Sequence, residues 1–372
     1  MNIVRTEQLE QHARRVLSAA ERADAVVVYN RHRPDPNFTY LTGLYGGVFD
    51  NCALILDREG GARVLSSALE EELLRQLEGF ARILVYRNRE ERNSLLASAL
   101  SGYGTVGVCF EAVSHALFLE LRDLGGAELV DVSGAFRTAR MVKLDHEIEL
   151  IARAAEVASR VADRVPGLLR RGLRERDLAA EIDFMMKREG VSGPSFPTIV
   201  AFGPNASKPH YAAGGAALRP GDPVLVDFGA SYRGYASDVT RTYLTGEGEA
   251  VEVYRAVLRA QQIALDMIKD GQAVDEVDRE VRSYVDGFDR YRGRFIHNLG
   301  HSIGISVHDD GYPGEEFGGC FRSGMTLTVE PGIYLPGRLG VRIEDDVVVE
   351  PGGCRVLTTA SKQPAVIELD HA

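Results

Sequence analysis

The chain has 372 residues, 45% of them hydrophobic and 26% charged, with a formal net charge of -11. This length exceeds what one compact core usually takes and predicts two domains of an ordinary globular protein. The acidic balance argues against nucleic acid or an anionic membrane as a general partner, and no stretch is long and apolar enough to span a bilayer.

The opening MNIVRTEQLEQHARR carries charges early and lacks an apolar signal core, so a cytoplasmic location is expected. Cys52, Cys109, Cys320 and Cys354 are far apart with no CxxC spacing, as expected of buried free thiols in a reducing compartment.

Leu9, Ala13, Val16 and Leu17 predict a helix over 7–22, followed by a buried strand at AVVVY (25–29). PDPNFTYLTG is a turn-rich entry to a short segment, and CALILD (52–57) and ARVLSS (62–67) flank REGG as a hairpin. A helix at 68–77, a strand at 82–86, a helix at 91–101, a strand at 106–110, a helix at 113–123 and a strand at 128–132 follow. This alternation predicts an α/β domain over residues 1–135.

Asp145 is placed to cap a helix beginning at His146, with Glu147 and Glu149 in its first turn and Ile148, Ile151, Ala155 and Ala162 on one stripe. A second helix is expected at 175–188. Beyond it come strands and glycines, interrupted by helices near 248–269 and 274–287. That pattern predicts an α+β domain over residues 140–372.

Five residues of metal-ligand type sit in this second half, each in its own context: Asp227 in VDFGA, Asp238 in SDVTRT, His301 in GHSIG, Glu330 in TVEPG and Glu344 in VRIEDD. Any one of them alone is more often structural. Four carboxylates gathered in an interior, however, would protonate or destabilise the fold without cations, and two divalent metals would both neutralise them and serve hydrolysis.

Hairpin geometry offers a way to gather them. PVLVDFGA (223–230) and YASDVTRTY (235–243) flank a polar loop, and a four-residue loop centred between Tyr232 and Arg233 sets Asp227 opposite Asp238. A two-residue turn is disfavoured because Tyr and Arg resist positive φ. Downstream, a loop centred on Gly337 opposes Glu330 and Glu344, although Pro331 and Gly332 threaten that register. Gly300 and Gly304 allow close backbone approach around His301, and the spacing to His308 demands a bend. Arg342, two residues before Glu344, shares its strand face and is expected to pair with a carboxylate. Asp345 and Asp346 are expected to be solvated or to support the ligands.

These motifs resemble the pita-bread metallopeptidases of family M24, which include Xaa-Pro dipeptidases (prolidases), aminopeptidase P and methionine aminopeptidase. The resemblance covers nearly the whole chain, with residues 1–135 similar to the creatinase/prolidase N-terminal domain through TYLTG. It implies that Asp227 chelates one metal, that Asp238 and Glu344 bridge both, and that His301 and Glu330 hold the second. Glu330 is then also the catalytic base, acting through a hydroxide bridging the metals. His210 in FGPNASKPHY and His308 in SVHDDGYPG become catalytic histidines, and His297 and Arg342 become substrate-binding residues.

Asn298 stands where the family has Gly, and a left-handed backbone there is expected to be tolerated. DDGYPG and the large N-terminal domain point to the prolidase and aminopeptidase P branch. The implied function is an Xaa-Pro dipeptidase using two divalent ions, Mn²⁺ or Co²⁺ before Zn²⁺. It would act as a homodimer on proline-containing di- or oligopeptides. The alternatives are aminopeptidase P, a proline-specific peptidase of other polarity, a related amidohydrolase, or a non-catalytic pita-bread binding protein.

Overall fold

The computed structural model describes residues 5–31, 35–309 and 319–369. The chain divides into two compact units, Met1–Arg140 and Met141–Ala372. The first is built on a six-stranded sheet of β1 (Ala25–Asn30), β2 (Cys52–Asp57), β3 (Ala62–Ser67), β4 (Arg82–Tyr86), β5 (Thr105–Val108) and β6 (Glu128–Asp131), in the order β4-β3-β2-β1-β5-β6. Its helices are α1 (Thr6–Ala19), α2 (Pro36–Thr42), α3 (Glu71–Leu74), α4 (Arg89–Leu100), α5 (His115–Gly125) and α6 (Ser133–Met141), the last ending at the junction of the units. Strand β1 is buried at every position because it lies inside the sheet, antiparallel to β2 and parallel to β5.

The segment expected as a turn-rich entry is instead α2. Asp35 caps it by accepting from the Asn37 amide at 2.8 Å, Pro36 supplies a preset first turn, and Gly43 ends it at φ 65°.

The second unit opens with α7 (Asp145–Ala162) and α8 (Glu175–Arg188). Asp145 is the first helical residue of α7 rather than its cap. The N-terminal amide is satisfied by Glu147, whose carboxylate accepts from the Leu144 amide at 2.9 Å. The strands β7 (Gly193–Pro194), β8 (Ile199–Phe202), β9 (Val224–Phe228), β10 (Ala230–Tyr232), β11 (Tyr235–Ala236) and β12 (Val239–Tyr243) follow. After α9 (Glu249–Met267) and α10 (Val274–Asp286) come β13 (Thr326–Val329), β14 (Gly332–Leu335), β15 (Leu339–Arg342), β16 (Asp345–Glu350) and β17 (Gly353–Val356).

Strand alternation sorts the side chains of this unit into two layers. Val224, Val226, Phe228 and Val239 enter a core with α7 and α8, while Leu327, Val329, Val347 and Val349 enter one with α9 and α10. The residues between them, Asp227, Thr240, Thr328 and Asp346, therefore face the other side. Arg241 and Asp345 fall on the helix side, where both are buried and paired at 2.7 Å, so Asp345 is not solvated.

Cys52 and Cys109 are buried, as the spacing suggested for all four cysteines, but Cys320 and Cys354 are partly exposed. No helix among the described residues is long and apolar enough to cross a membrane.

Candidate metal centre

The first hairpin differs from its expected register. Tyr232 pairs with Tyr235, and Arg233 and Gly234 form a two-residue turn with φ of 52° and 85°. Asp227 consequently pairs with Thr240 rather than with Asp238. The slip is by two positions, so every side chain keeps its face, and Asp238 still rises beside Asp227. Asp238 itself lies at the break between β11 and β12. There Gly229 passes so close to the Ser237 carbonyl that an added Cβ would lie 1.7 Å from its oxygen.

The second hairpin keeps the expected register. Leu335 pairs with Leu339 around Gly337, Gly332 with Arg342, and Val329 with Asp345. Glu330 and Glu344 occupy the gap between the two ladders, on facing strands. The hairpins are joined to one another by the Glu344 amide on the Thr240 carbonyl (3.1 Å) and by the Asp238 amide on Asp346 Oδ2 (2.9 Å).

His301 arrives on residues 299–303, which run irregularly along β13. The Glu330 amide donates to Leu299 (2.8 Å), the Thr328 amide to His301 (2.8 Å) and the Ile303 amide to Thr326 (3.1 Å). Gly300 is required there, because a Cβ would fall 1.9 Å from the Thr328 carbonyl oxygen. The expected bend follows. The His308 ring doubles back to stack on His301 at 3.9 Å. Asn298 has no positive φ, so its tolerance of a left-handed backbone is not called upon.

His301 sets Nδ1 against the Ser302 carbonyl at 3.1 Å and turns Nε2 toward Asp238 (3.6 Å) and Glu330 (3.5 Å). One oxygen or nitrogen from each of Asp238, His301 and Glu344 lies within 4.8 Å of the others. Asp227 makes a buried ion pair with Arg342, which also donates to the Tyr334 hydroxyl (2.7 Å) and Thr240 Oγ1 (3.0 Å). His297 joins this chain by Nε2 to the Tyr334 hydroxyl (2.9 Å), and its Nδ1 lies 3.9 Å from Glu330. His210 and His308 line the same cleft of about 730 Å³, together with the five ligand-type residues, His297 and Arg342.

Burial, then repulsion from Glu344 and Asp227, holds the Asp238 carboxyl well above the usual carboxylate range. Glu344 is raised likewise by burial, Glu330 and Asp227, and Glu330 is pushed up to about 7, chiefly by burial. His301 and His297 are pushed down to about 4, mainly by burial, so both are neutral near pH 7.

These residues fit divalent cations. Asp227 Oδ1, Asp238 Oδ1, Glu344 Oε1 and Asp346 Oδ1 are buried without a hydrogen-bond donor, each costly unless something else satisfies it. Four carboxylates (Asp227, Asp238, Glu330, Glu344) line the cleft with one guanidinium, Arg342. Full ionisation leaves three negative charges over, an excess that divalent cations would offset. The neutral His301 Nε2, aimed at carboxylates, is a ligand orientation for the same ions.

Sequence reasoning passed over Thr240, whose hydroxyl donates to Glu344 at 2.6 Å, and Thr328, which binds the His301 amide and Glu330. Both alternate with expected ligands along their strands, and that parity was their signal. Tyr334 shares a face with Arg342 in the second hairpin, eight residues away, while its other partner, His297, comes from a distant segment.

Residues 149–351 match the model of metallopeptidase family M24, and residues 11–142 match the creatinase/prolidase N-terminal domain. An Xaa-Pro dipeptidase of Pyrococcus horikoshii is 31% identical over 91% of this chain and 94% of its own. Among solved structures, an Xaa-Pro dipeptidase from Bacillus anthracis aligns with TM-score 0.87 at 29% identity, covering 96% of this chain and 99% of that one. An X-Pro aminopeptidase from Thermotoga maritima aligns with TM-score 0.85 at 28% identity, covering 95% and 99%. The chain belongs to metallopeptidase family M24, with a creatinase/prolidase N-terminal domain ahead of a pita-bread domain of mixed helix and sheet, and metal-dependent peptide hydrolysis follows from that membership.

Proposed function

We propose that the protein is an Xaa-Pro dipeptidase in which residues 140–372 carry the chemistry and residues 1–135 form the accessory domain. The observation that supports this most is the set of buried, donor-less carboxylate oxygens on two hairpins, facing His301 in one cleft. Asp227 would hold one cation, Asp238 and Glu344 both, and His301 and Glu330 the second. The oxygen-rich set with one imidazole suits Mn²⁺ or Co²⁺, then Zn²⁺. When bound, such ions supply Lewis acidity that makes water a nucleophile near neutral pH.

The remaining work falls to side chains. Glu330 takes the proton of the attacking water and returns it to the leaving proline nitrogen, a tertiary-amide nitrogen whose expulsion depends on protonation. His308 and His210 donate to the carbonyl oxygen as negative charge develops on it. Arg342 fixes Asp227 and, through Tyr334, the His297 ring that borders the substrate. A homodimer in the cytoplasm completes the proposal; the unpaired thiols of Cys52, Cys109 and Cys354 support a reducing compartment.

One observation favours aminopeptidase P as a second reading. Among the described lining residues the only guanidinium, Arg342, is engaged by Asp227, Tyr334 and Thr240, and no lysine lines the cleft to meet a dipeptide carboxylate. Cleavage of Ala-Pro, Ala-Pro-Ala and Ala-Ala-Pro with Mn²⁺ separates the readings. Cleavage of the dipeptide alone supports the dipeptidase, cleavage of Ala-Pro-Ala the aminopeptidase, and proline release from Ala-Ala-Pro the opposite polarity. No bound or activating divalent metal would refute the proposal.

A further inference from the structure

Glu175 is fully buried at the first position of α8, and among the described residues no lysine or arginine pairs with it. A carboxylate is costly in that position unless its acceptor sites are filled. Here they are filled by four donors. Oε1 accepts from the Phe202 amide (2.9 Å) and Asn205 Nδ2 (3.0 Å), and Oε2 accepts from the Tyr211 hydroxyl (2.9 Å) and the Gly214 amide (3.2 Å).

All four donors lie between residues 202 and 214, on either side of His210. The neighbouring backbone does not need them, since residues 172–176 are tied to 214–218 by their own amides: Gly172 to Leu218, Leu218 to Leu173, Glu175 to Ala216 and Arg176 to Gly214. Asn205 Nδ2 also donates to the Tyr211 hydroxyl at 3.0 Å, closing a ring of bonds under the loop. Gly214 makes room for it, because a Cβ there would lie 2.9 Å from that hydroxyl oxygen. His210 itself is exposed and makes no hydrogen bond to any described residue, yet it lines the cleft, so its place is set by the chain on either side.

We propose that Glu175 is a positioning residue for His210, its carboxylate holding both ends of the 202–214 loop so that the imidazole stands over the reacting carbonyl. The inference rests on the peptidase reading, under which His210 stabilises developing charge. Only an ionised carboxylate accepts at both oxygens; an amide presents donors on one side. Glu175→Gln therefore keeps the Phe202 and Asn205 bonds through Oε1 and sets an N–H group against the Gly214 amide.

The test is a double-mutant cycle on Ala-Pro hydrolysis with Mn²⁺, using Glu175→Gln, His210→Ala and the pair. Glu175→Gln is expected to lower kcat by roughly tenfold or more while KM moves less than about threefold, the signature of an interaction made in the transition state. In the His210→Ala background the same change should cost less than about threefold. Mn²⁺ binding by calorimetry should be unaltered, and faster amide hydrogen exchange should be confined to 202–214. Tyr211→Phe, at a partly exposed position that does not threaten folding, should act in the same direction with smaller size. An equal loss in both backgrounds overturns the proposal, as does an unchanged kcat when His210→Ala is costly. A wild-type chain that cleaves none of the proline peptides refutes the peptidase reading instead. Hydrogen exchange then decides the tether, and exchange that spreads through α8 and β9 overturns it.

Discussion

The two hairpins that carry the carboxylates solve one problem in opposite ways. In the first, a tight Arg233-Gly234 turn pairs Asp227 with Thr240 inside a regular ladder and leaves Asp238 at a break. In the second, Glu330 and Glu344 both sit in the gap between β13–β16 and β14–β15, and Gly337 turns the chain at φ 71°. A residue inside a ladder has its direction fixed by the pleat, whereas one at a break can swing toward a shared centre. Three of the four carboxylates are at breaks, and two of these, Asp238 and Glu344, form the close group with His301, while Asp227 inside the ladder is paired with Arg342. Regular pairing thus decides the face, and interruptions leave side chains free to converge.

The largest expected effect tests that division. Asp238→Ala should lower kcat/KM for a proline dipeptide by more than roughly 100-fold, beyond the 10–100-fold typical of residues that merely support a ligand, and should weaken Mn²⁺ binding in calorimetry. Near-normal binding in this variant would mean that the break at Asp238 serves only the fold.

Removing the cations should expose the repulsion between the hairpins. In cation-free protein Asp238, Glu344 and Glu330 keep protons in the folded state that they release on unfolding, because their folded values are raised and Glu330 reaches about 7. The contribution of Glu330 is then fully present below the usual carboxylate range and is lost as pH rises through about 7, and Asp238 and Glu344 act in the same direction. Thermal melts with chelator and with Mn²⁺ should therefore diverge between pH 5 and pH 8. A gap independent of pH would show that the carboxylates do not repel one another as placed.

Much of this was legible in the sequence, for a physical reason. Face assignment depends only on parity, and a register error of two residues preserves parity, so Asp227 and Asp238 were put on one face despite the wrong turn. The turn itself was misjudged because an arginine at positive φ is uncommon, whereas the following Gly234 was the overlooked signal. Helix α2 was also signalled at both ends, by Asp35-Pro36 and Gly43, but seven residues carry too little periodicity to outweigh turn-forming composition. In the Tyr334–Arg342–Asp227 chain, Tyr334 and Arg342 are diagonal neighbours on one face of the second hairpin, whereas their meeting with Asp227 depends on the fold bringing the two hairpins together. Asp346, expected in its EDD run to be solvated or to support the ligands, does the latter, because its neighbours alternate between a core and a cleft, and it is buried and accepts from the Asp238 amide.

Thr240 links the two hairpins most directly, donating to Glu344 and accepting from Arg342 Nε. Thr240→Val keeps the shape and removes both bonds, so Mn²⁺ affinity should drop about 10- to 100-fold. Thr328→Val, whose bond to Glu330 is longer at 3.3 Å, should cost less. Equal losses would deny the first hairpin its larger share in orienting the second.

The smallest effect concerns the turn that distinguishes the hairpins. Arg233 pays roughly 1 kcal/mol for its left-handed backbone, and Asn, which tolerates that region, is the favoured partner of a following glycine. Arg233→Asn should therefore raise the unfolding free energy from urea titration by about 0.5 kcal/mol once the contact of the guanidinium with the Tyr232 ring at 5.2 Å is lost. Arg233→Val, β-branched and ill suited to positive φ, should lower it by about 1 kcal/mol. Neither variant should change kcat, since residue 233 does not line the cleft. Opposite signs for the pair would tie the register of the first hairpin to its two-residue turn. If Val is tolerated as well as Asn, the register is set instead by the bonds that join β12 to the second hairpin.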